Sequence, residues 1–459
     1  METEKKQGFL KSAATIALGG FVAKVIGAVY RIPLTNWIGG KGIGLYQLVY
    51  PIYCLLLTVS ATGIPSSIAK LTAERIGCGE SEKPLFSAAM KLFVAIGAMG
   101  SILMVLLAPI LAKAQGSQGV LWGYYTLAPS VVLVSVISVF RGYFQGKNKM
   151  TPTAASEILE QVVKVAIGLF FAWFFRENIE KAVVYLLLAV TISEAAALIY
   201  MWAVYRRENK RGISRKTQND GGRVAIKTIL RMSLPVTVGS ILIPISSLID
   251  SVFAVRLLAR YAENAVTLYG LFSGGAVTII NLPVSICYGI AAASIPAVAK
   301  AKAQAEKGQI SAKQVKKRWL ISLGVTVLVS LPAAVALFFF ASPAVKIIFR
   351  SLSAEEGEIM IKLVQIFSLS AFTLSCAQTL SACLTAQGKP QHSAFGMAVG
   401  MTVKTIAYLF LLQNPQFSVF GLAYATNLGY LVAFLFDLLY NFLISKEKIK
   451  NLLFLQRKN

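Results

Sequence analysis

The sequence predicts an all-α integral membrane protein with about 12 transmembrane helices, arranged as two pseudo-symmetric lobes of six helices each. Composition is the first observation behind this fold class: 56% of the 459 residues are hydrophobic and 14% are charged, against about 25% charged residues in an average soluble domain. The second observation is a series of long apolar runs. The third is a set of motifs in the first half of the chain that return in the second half.

The apolar runs define twelve predicted spans. They lie near 11–36, 43–65, 87–112, 121–142, 153–175, 181–205, 228–257, 270–298, 319–341, 357–385, 392–413 and 417–443. A helix needs about 20 residues to cross a hydrocarbon core of about 30 Å, and these runs are long enough. Because the runs are continuously apolar and do not alternate, they predict helices and not the strands of a membrane barrel.

The repeated motifs occur in the same order in both halves. The Gln-Gly-Lys motif at 145–147 returns at 387–389, and the Val-Lys pair at 163–164 returns at 403–404. Two homologous membrane halves that meet at a central site are a transporter architecture. The repeat therefore predicts a protein that moves something across a membrane.

Basic residues predict the lobe limits and the orientation. The polar stretch 206–227 separates six spans from six, which predicts an N-terminal lobe at 1–205, a basic linker at 206–227 and a C-terminal lobe at 228–459 with a basic tail. About 30 Lys and Arg lie on the side of the termini, Arg141, Lys147 and Lys149 among them, and about eight lie on the other side; the positive-inside rule makes the rich side cytoplasmic. We therefore predict a multi-pass plasma membrane protein with both termini in the cytoplasm and parallel repeats.

Several function classes are excluded by what the sequence lacks. The net charge of +25 lies mostly in short loops between spans, which is a topology signal, so no nucleic-acid partner is expected. The five cysteines have no metal-ligand spacing, so no metal site is expected. Asn148 follows Gly146-Lys147 where a P-loop needs Ser or Thr, which argues against ATP as the direct driver. We expect no cofactor and leave a coupling cation open.

Ionisable residues inside the spans are the candidate binding groups. Lys24, Lys164 and Lys404 lie roughly 16–21 Å from the cytoplasmic ends of their spans, at 1.5 Å per residue. A charge that faces lipid at this depth costs at least about 2.5–3.5 kcal/mol, so we expect these lysines to face a bundle interior or an aqueous cavity. The alternative for Lys164 is a structural ion pair with Glu160, one helical turn earlier. Lysines in excess of unpaired carboxylates would attract an anion.

An outer gate is a further hypothesis. Aligning the two halves places the pair Tyr30-Arg31 opposite the pair Asp250-Ser251, near the outer ends of the first and seventh spans, so Arg31 and Asp250 lie at similar heights. Opposite charges there would close the extracytoplasmic side while the cavity is open inward, and the pair would break when the lobes rock. The alternative is that Arg31 snorkels to the outer headgroups.

The sequence resembles a known family in several specific motifs. They are Lys-Val-Ile-Gly at 24–27, Tyr-Arg-Ile-Pro-Leu at 30–34, Gly-Leu-Tyr-Gln at 44–47 and Phe-Arg-Gly-Tyr-Phe-Gln-Gly at 140–146. With these the chain resembles the stage V sporulation protein B group of polysaccharide-transport proteins. That group belongs to the multidrug/oligosaccharidyl-lipid/polysaccharide (MOP) exporter superfamily, whose fold is of the MATE type.

The resemblance implies an alternating-access flippase for an undecaprenyl-diphosphate-linked saccharide, a cell-wall or polysaccharide precursor. Related lipid II flippases have an arginine in the first helix that faces a cationic cavity, and Lys24 matches that position in charge but not in residue type. The expected substrate-binding residues are Lys24, Arg31, Gln47, Glu160, Lys164 and Lys404. The expected partners are this lipid-linked saccharide and the phospholipid bilayer, and we expect a monomer.

Two other functions compete with this hypothesis. A cation-coupled multidrug or small-molecule exporter of the same superfamily would take up cationic amphiphiles and need unpaired carboxylates, whereas this chain offers more buried lysines. A membrane sugar-polymer ligase would need a large catalytic outer loop, and the longest predicted outer loop, around 343–356, is too short. We therefore expect no enzyme.

Overall fold

The computed structural model describes residues 2–61, 63–211, 227–231, 233, 237, 240–306, 309 and 311–456. Side chains are described from residue 22 to residue 444, apart from several positions at helix ends and in the first helix, Lys24 among them. The chain divides into two compact units, Met1–Val252 and Phe253–Asn459. Within the described ranges every regular element is helical.

The described residues of the N-terminal unit form seven helices, the last of which runs past the boundary of the unit. They are α1 (Glu2–Ala61), α2 (Ile64–Gly77), α3 (Lys83–Ala114), α4 (Leu121–Gly146), α5 (Thr151–Phe174), α6 (Ile179–Arg211) and α7 (Leu242–Leu258). A short 3-10 turn, Gln118–Val120, precedes α4. Helix α1 packs on α4 and α5, and α4 packs on α2, α3 and α6. Helix α4 is therefore the centre of this unit.

The described residues of the C-terminal unit also form helices. Its elements are α8 (Ala265–Gly270), a π-helical turn (Leu271–Ala276), α9 (Val277–Glu306), α10 (Ala312–Phe339), α11 (Ala341–Ile348), α12 (Ala354–Ala386), α13 (Pro390–Leu411) and α14 (Phe420–Gln456). Helix α12 packs on α9, α10 and α14, and α13 packs mainly on α14. Helix α12 thus takes the central position in this unit that α4 takes in the other.

Helix α1 covers the first predicted span and most of the second. It is 60 residues long, but its helical geometry breaks at Gly39, where φ is 65° and ψ is −174°. Such a positive φ is accessible to glycine without a Cβ clash, so this position divides one apolar run from the next. The break falls between the spans predicted near 11–36 and 43–65.

The helices expose apolar surface as a membrane protein does. In α3, Ile102, Leu106 and Ile110 are each at least 60% exposed, whereas large contiguous apolar surface is rare on soluble monomers. Nine described stretches are long and apolar enough to cross a bilayer. Helix α5 is not among the nine; it carries Glu157, Glu160 and Lys164. The all-α membrane fold class is confirmed, and the count of twelve spans stays a prediction.

The repeated motifs occupy matching places in the two units. Helices α4 and α12 end at the Gln-Gly-Lys motifs, 145–147 and 387–389. The helix that follows in each case, α5 or α13, carries its lysine near the middle, Lys164 or Lys404. The order of elements around each lysine is therefore the same, as the sequence repeat predicts.

Candidate functional site

Helix α5 presents a polar face that extends to about the middle of the helix. Ser156, Glu160 and Lys164 follow one another at helical spacing, and Lys164 lies about midway along this 24-residue helix. Helix α1 packs closely on the same region, because a Cβ at Gly27 would lie 3.3 Å from the side-chain oxygen of Gln161. Small residues allow such close helix contacts in membranes. The polar face of α5 is therefore covered by protein.

Glu160 is held from α4. The Nη2 atom of Arg141 lies 3.1 Å from Oε2 of Glu160, and both side chains are less than a fifth exposed. Nε of Arg141 also donates to Oγ of Ser156 at 3.0 Å, and Gln161 donates to Oε1 of Glu160 at 3.1 Å. Both carboxylate oxygens of Glu160 are thus occupied by donors other than Lys164.

A second carboxylate comes from α6. Glu194 is only 4% exposed, and its Oε1 accepts a hydrogen bond from the Tyr53 hydroxyl at 3.3 Å. The charges of Glu160, Arg141 and Lys164 all act on it. Residues of α1, α4, α5 and α6 therefore form one electrostatic cluster inside the N-terminal unit.

Lys164 differs from the other members of this cluster. Its ammonium group makes no hydrogen bond, and no ion pair within 4 Å, with a described residue, although the charges of Glu160, Glu194 and Arg31 act on it. Among the described contacts of the cluster, Arg141 is paired with Glu160, whereas Lys164 has no carboxylate within 4 Å. A half-buried cation without a close counter-ion is a group that can accept an anionic ligand.

Aromatic rings extend the cluster along α1. Tyr46 and Tyr50 stack at 5.2 Å between ring centroids, and Tyr50 contacts Tyr53 at 5.5 Å. The three residues recur at helical spacing, so they line one face of α1. The charge of Arg31 acts on Tyr46. A row of hydroxyl-bearing rings thus connects Arg31 with Glu194.

The structure describes the predicted site residues to different extents. Arg31, Glu160 and Lys164 belong to the cluster just described, and Gln47 is half-buried in α1 beside the tyrosine row. The side chain of Lys24 lies outside the described residues. The substrate-binding role of each of these residues stays a prediction.

Lys404 and Asp250 are both buried, at 6% exposure each. Lys404 lies against α14, since a Cβ at Gly429 would be 2.7 Å from the Cβ of Lys404. The proposed symmetric pairing of Lys164 with Lys404 and the Arg31–Asp250 gate both stay predictions.

Two cluster residues escaped the sequence analysis. Arg141, which the sequence indicates only as a basic residue on the side of the termini, lies inside α4 and pairs with Glu160. The signal was its place between apolar residues five positions before the helix end. Tyr53 was also missed, and the spacing of Tyr46, Tyr50 and Tyr53 could have indicated a shared helix face.

A separate cluster of charged residues lies at the C-terminal end of α4. Nζ of Lys147 lies 3.0 Å from Oε1 of Glu82 and 2.9 Å from Oε1 of Glu208, and it donates to the Tyr143 hydroxyl at 3.0 Å. Burial opposes ionisation of Glu82, but hydrogen bonds from its backbone and from Lys147 outweigh it and hold the pKa of Glu82 below its usual range. Burial opposes the charge of Lys147, but its hydrogen bonds with Tyr143, Glu208 and Glu82 raise the pKa of Lys147 above its ordinary value.

Comparison with known proteins gives a family match. The model of the polysaccharide biosynthesis protein family matches residues 9–302. Stage V sporulation protein B of Bacillus subtilis (strain 168) is 27% identical over 92% of this chain and 82% of its own length. Lipid II flippase MurJ of the same organism is 22% identical over 95% of this chain and 82% of its own length. These matches confirm the resemblance drawn from the motifs.

Solved structures with this fold are membrane transporters. A multidrug resistance MATE family transporter of the MOP superfamily in an inward-facing conformation superposes with a TM-score of 0.77 at 15% identity, over 93% of this chain and 96% of that one. A lipid II flippase MurJ in an inward closed conformation gives a TM-score of 0.71 at 13% identity, over 97% of this chain and 92% of that one. The fold is therefore that of the MOP superfamily. The lobe limits at 205 and 228 and the cytoplasmic termini stay predictions.

Proposed function

This chain belongs to the polysaccharide biosynthesis protein family, and from that membership we propose that it is a flippase. Its proposed substrate is an undecaprenyl-diphosphate-linked saccharide, which moves from the cytoplasmic to the outer leaflet by alternating access. Named relatives across most of the chain include a sporulation protein and a lipid II flippase. A protein of this kind is a transporter and not an enzyme.

The observation that carries the proposal is the state of the charges in the α5 cluster. Arg141 occupies Glu160, and Tyr53 donates to Glu194, so the carboxylates are engaged within the protein. Lys164 has no such close partner among the described residues. A diphosphate needs cations that replace its water, and a lysine ammonium binds phosphate as a point charge. The Lys164 ammonium group therefore suits an anionic head group.

The membrane potential favours the same direction of movement. An inside-negative potential drives an anion outward by about 2.3 kcal/mol per charge per 100 mV. Two uncompensated charges on a diphosphate would gain on the order of 4–5 kcal/mol. This bias is large enough to drive flipping without a nucleotide. The proposed gate between Arg31 and Asp250 would act on the equilibrium between the two conformations.

The second candidate is a cation-coupled drug exporter, which the structural likeness to a multidrug transporter favours. A cationic drug would need a carboxylate with a free face inside the membrane. Glu160 accepts from Arg141 and Gln161, and Glu194 accepts from Tyr53. The polarity of the cluster therefore supports the flippase over the drug exporter.

Reconstitution distinguishes the two candidates. Proteoliposomes are loaded with an NBD-labelled undecaprenyl-diphosphate disaccharide, and dithionite bleaches the label only in the accessible leaflet. We expect the protein to increase the bleached fraction of this lipid and to leave NBD-phosphatidylcholine in place. Ethidium uptake is measured in the same vesicles. Transport of ethidium without movement of the diphosphate lipid would refute the flippase proposal.

A further inference from the structure

An open cleft of about 410 Å³ lies at the start of α4 and α6 in the N-terminal unit. The residues that line it and carry the argument are Gln118, Trp122, Asn178, Glu180, Lys181 and Tyr185. Helix α4 runs from this cleft to the Lys147 cluster, which at about 1.5 Å per residue places them about 40 Å apart. The predicted orientation makes the cleft extracytoplasmic. Its volume is within the range of about 300–1,000 Å³ seen for small-molecule sites.

Aromatic rings form one wall of the cleft. Trp122 is 66% exposed, and its ring meets Tyr125 edge-on at 5.7 Å between centroids. Tyr185 stacks on Phe175 at 4.2 Å with an interplanar angle of 5°, so its ring is fixed by packing. Rigid aromatic surface at the mouth of a cleft binds ligands at a low cost in conformational entropy.

The rim carries both donors and acceptors of hydrogen bonds. Glu180 supplies a carboxylate and Lys181 an ammonium group, and Gln118 and Asn178 supply amides, each of which can donate and accept. Asn178 uses its Oδ1 to accept from the backbone N–H of Lys181 at 3.0 Å. This bond fixes Asn178 at the beginning of α6. The rim therefore presents both donors and acceptors of hydrogen bonds beside the aromatic wall.

The chemistry of the cleft selects among ligand classes. A phosphate is disfavoured, because Glu180 already places a carboxylate in the first turn of α6 and its side chain packs against Gly119. An acyl chain is disfavoured by four polar side chains. A saccharide ring meets the requirements: its hydroxyls donate and accept, and its C–H faces pack on aromatic rings.

We propose that this cleft binds a saccharide ring on the extracytoplasmic side of the protein. Saccharide binding there is independent of the central cluster. Its use in transport rests on the proposed function: the cleft would hold the sugar portion of the lipid-linked substrate once it has crossed the membrane, and so oppose its return. Trp122 is the main contact of this saccharide site.

Saturation-transfer NMR of sugars with the full-length protein in phospholipid nanodiscs tests the proposal. The probes are N,N′-diacetylchitobiose, maltose and N-acetylglucosamine, and empty nanodiscs serve as the blank. We expect saturable transfer to at least one probe, and a loss of affinity of about three- to tenfold in Trp122→Ala. Trp173→Ala is the matched control, because Trp173 is half exposed on α5 and does not line the cleft. Its affinity should equal that of the wild type.

Three results would overturn the saccharide site. They are no transfer to any probe beyond the blank, equal affinity in Trp122→Ala and wild type, and displacement of the sugar by inorganic phosphate. The dithionite assay separates this proposal from the flippase proposal. Sugar binding by a wild-type protein that does not flip the lipid would refute the flippase proposal and support the saccharide site. Flipping without any sugar binding would refute the saccharide site and support the flippase proposal.

Discussion

The ion pair between Arg141 and Glu160 makes a quantitative prediction. The 3.1 Å between charged atoms corresponds to a Coulomb attraction of about 5 kcal/mol at an effective dielectric constant of about 20. Desolvation and partial exposure of both side chains reduce this value. A hydrogen bond to a charged group contributes about 1.5–3 kcal/mol, so we expect a coupling energy in that range. For comparison, hydrogen bonds between the side chains of membrane helices contribute about 0.6 kcal/mol on average.

A double-mutant cycle measures this coupling. Arg141→Met, Glu160→Gln and the double variant are unfolded by increasing SDS in mixed micelles, with tryptophan fluorescence as the readout. Each single variant should lose more stability than the coupling energy alone, because one charge is left buried without its counter-ion. The double variant should recover part of that loss.

The chain provides a matched control pair. Lys70 and Glu74 lie 3.8 Å apart at spacing i, i+4, with side chains 62% and 55% exposed. An exposed helix pair of this kind contributes about 0.3–0.5 kcal/mol. A coupling for Arg141 and Glu160 no larger than that of the control pair would refute our account of the α5 cluster as a buried electrostatic unit.

Three further predictions concern stability, each measured by the same unfolding assay. Lys147→Met should lower the unfolding free energy by about 1–3 kcal/mol. Because the folded pKa of Glu82 lies below its unfolded value, wild-type stability should be full above a pH of about 4.3 and fall as the pH drops through the folded pKa. This fall should be smaller in the variant, which keeps the backbone hydrogen bond to Glu82 but loses the one from Lys147. Gly429→Ala should destabilise strongly, since its Cβ would lie 2.7 Å from a backbone oxygen of α13, whereas Gly289→Ala, with no atom within 4 Å, should not. Asn441→Leu should cost about 1–3 kcal/mol, because it removes a fully buried amide that both donates and accepts.

The fold class was largely predictable because the length of a continuous apolar run is enough to predict a membrane-spanning helix. Runs of 20 or more apolar residues predict helices regardless of tertiary contacts. The repeat predicted that Lys164 and Lys404 occupy equivalent helices, and the order of elements agrees. The break in α1 at Gly39 also falls between two predicted spans.

The partners within the site were not predictable in the same way. Helical spacing suggested that Lys164 pairs with Glu160, but Arg141 from another helix takes that carboxylate. Spacing along one helix gives neighbours on that helix only, whereas contacts between helices depend on how they pack. The hydrogen bond from Tyr53 to Glu194 joins α1 to α6 and has no local sequence signal. The alternative of a Lys164–Glu160 ion pair is therefore not formed in this structure, and the anion-binding role of Lys164 stays a prediction.

The most direct test of the central claim is the flipping rate of Lys164 variants. The dithionite assay is run with Lys164→Gln, Lys164→Arg and the control Lys91→Gln, an exposed lysine on α3, at matched protein levels. If Lys164 binds the diphosphate, Lys164→Gln should reduce the rate at least about tenfold, corresponding to about 1.4 kcal/mol. Lys164→Arg should retain part of the rate, and Lys91→Gln should match the wild type. A wild-type rate in Lys164→Gln would contradict the account.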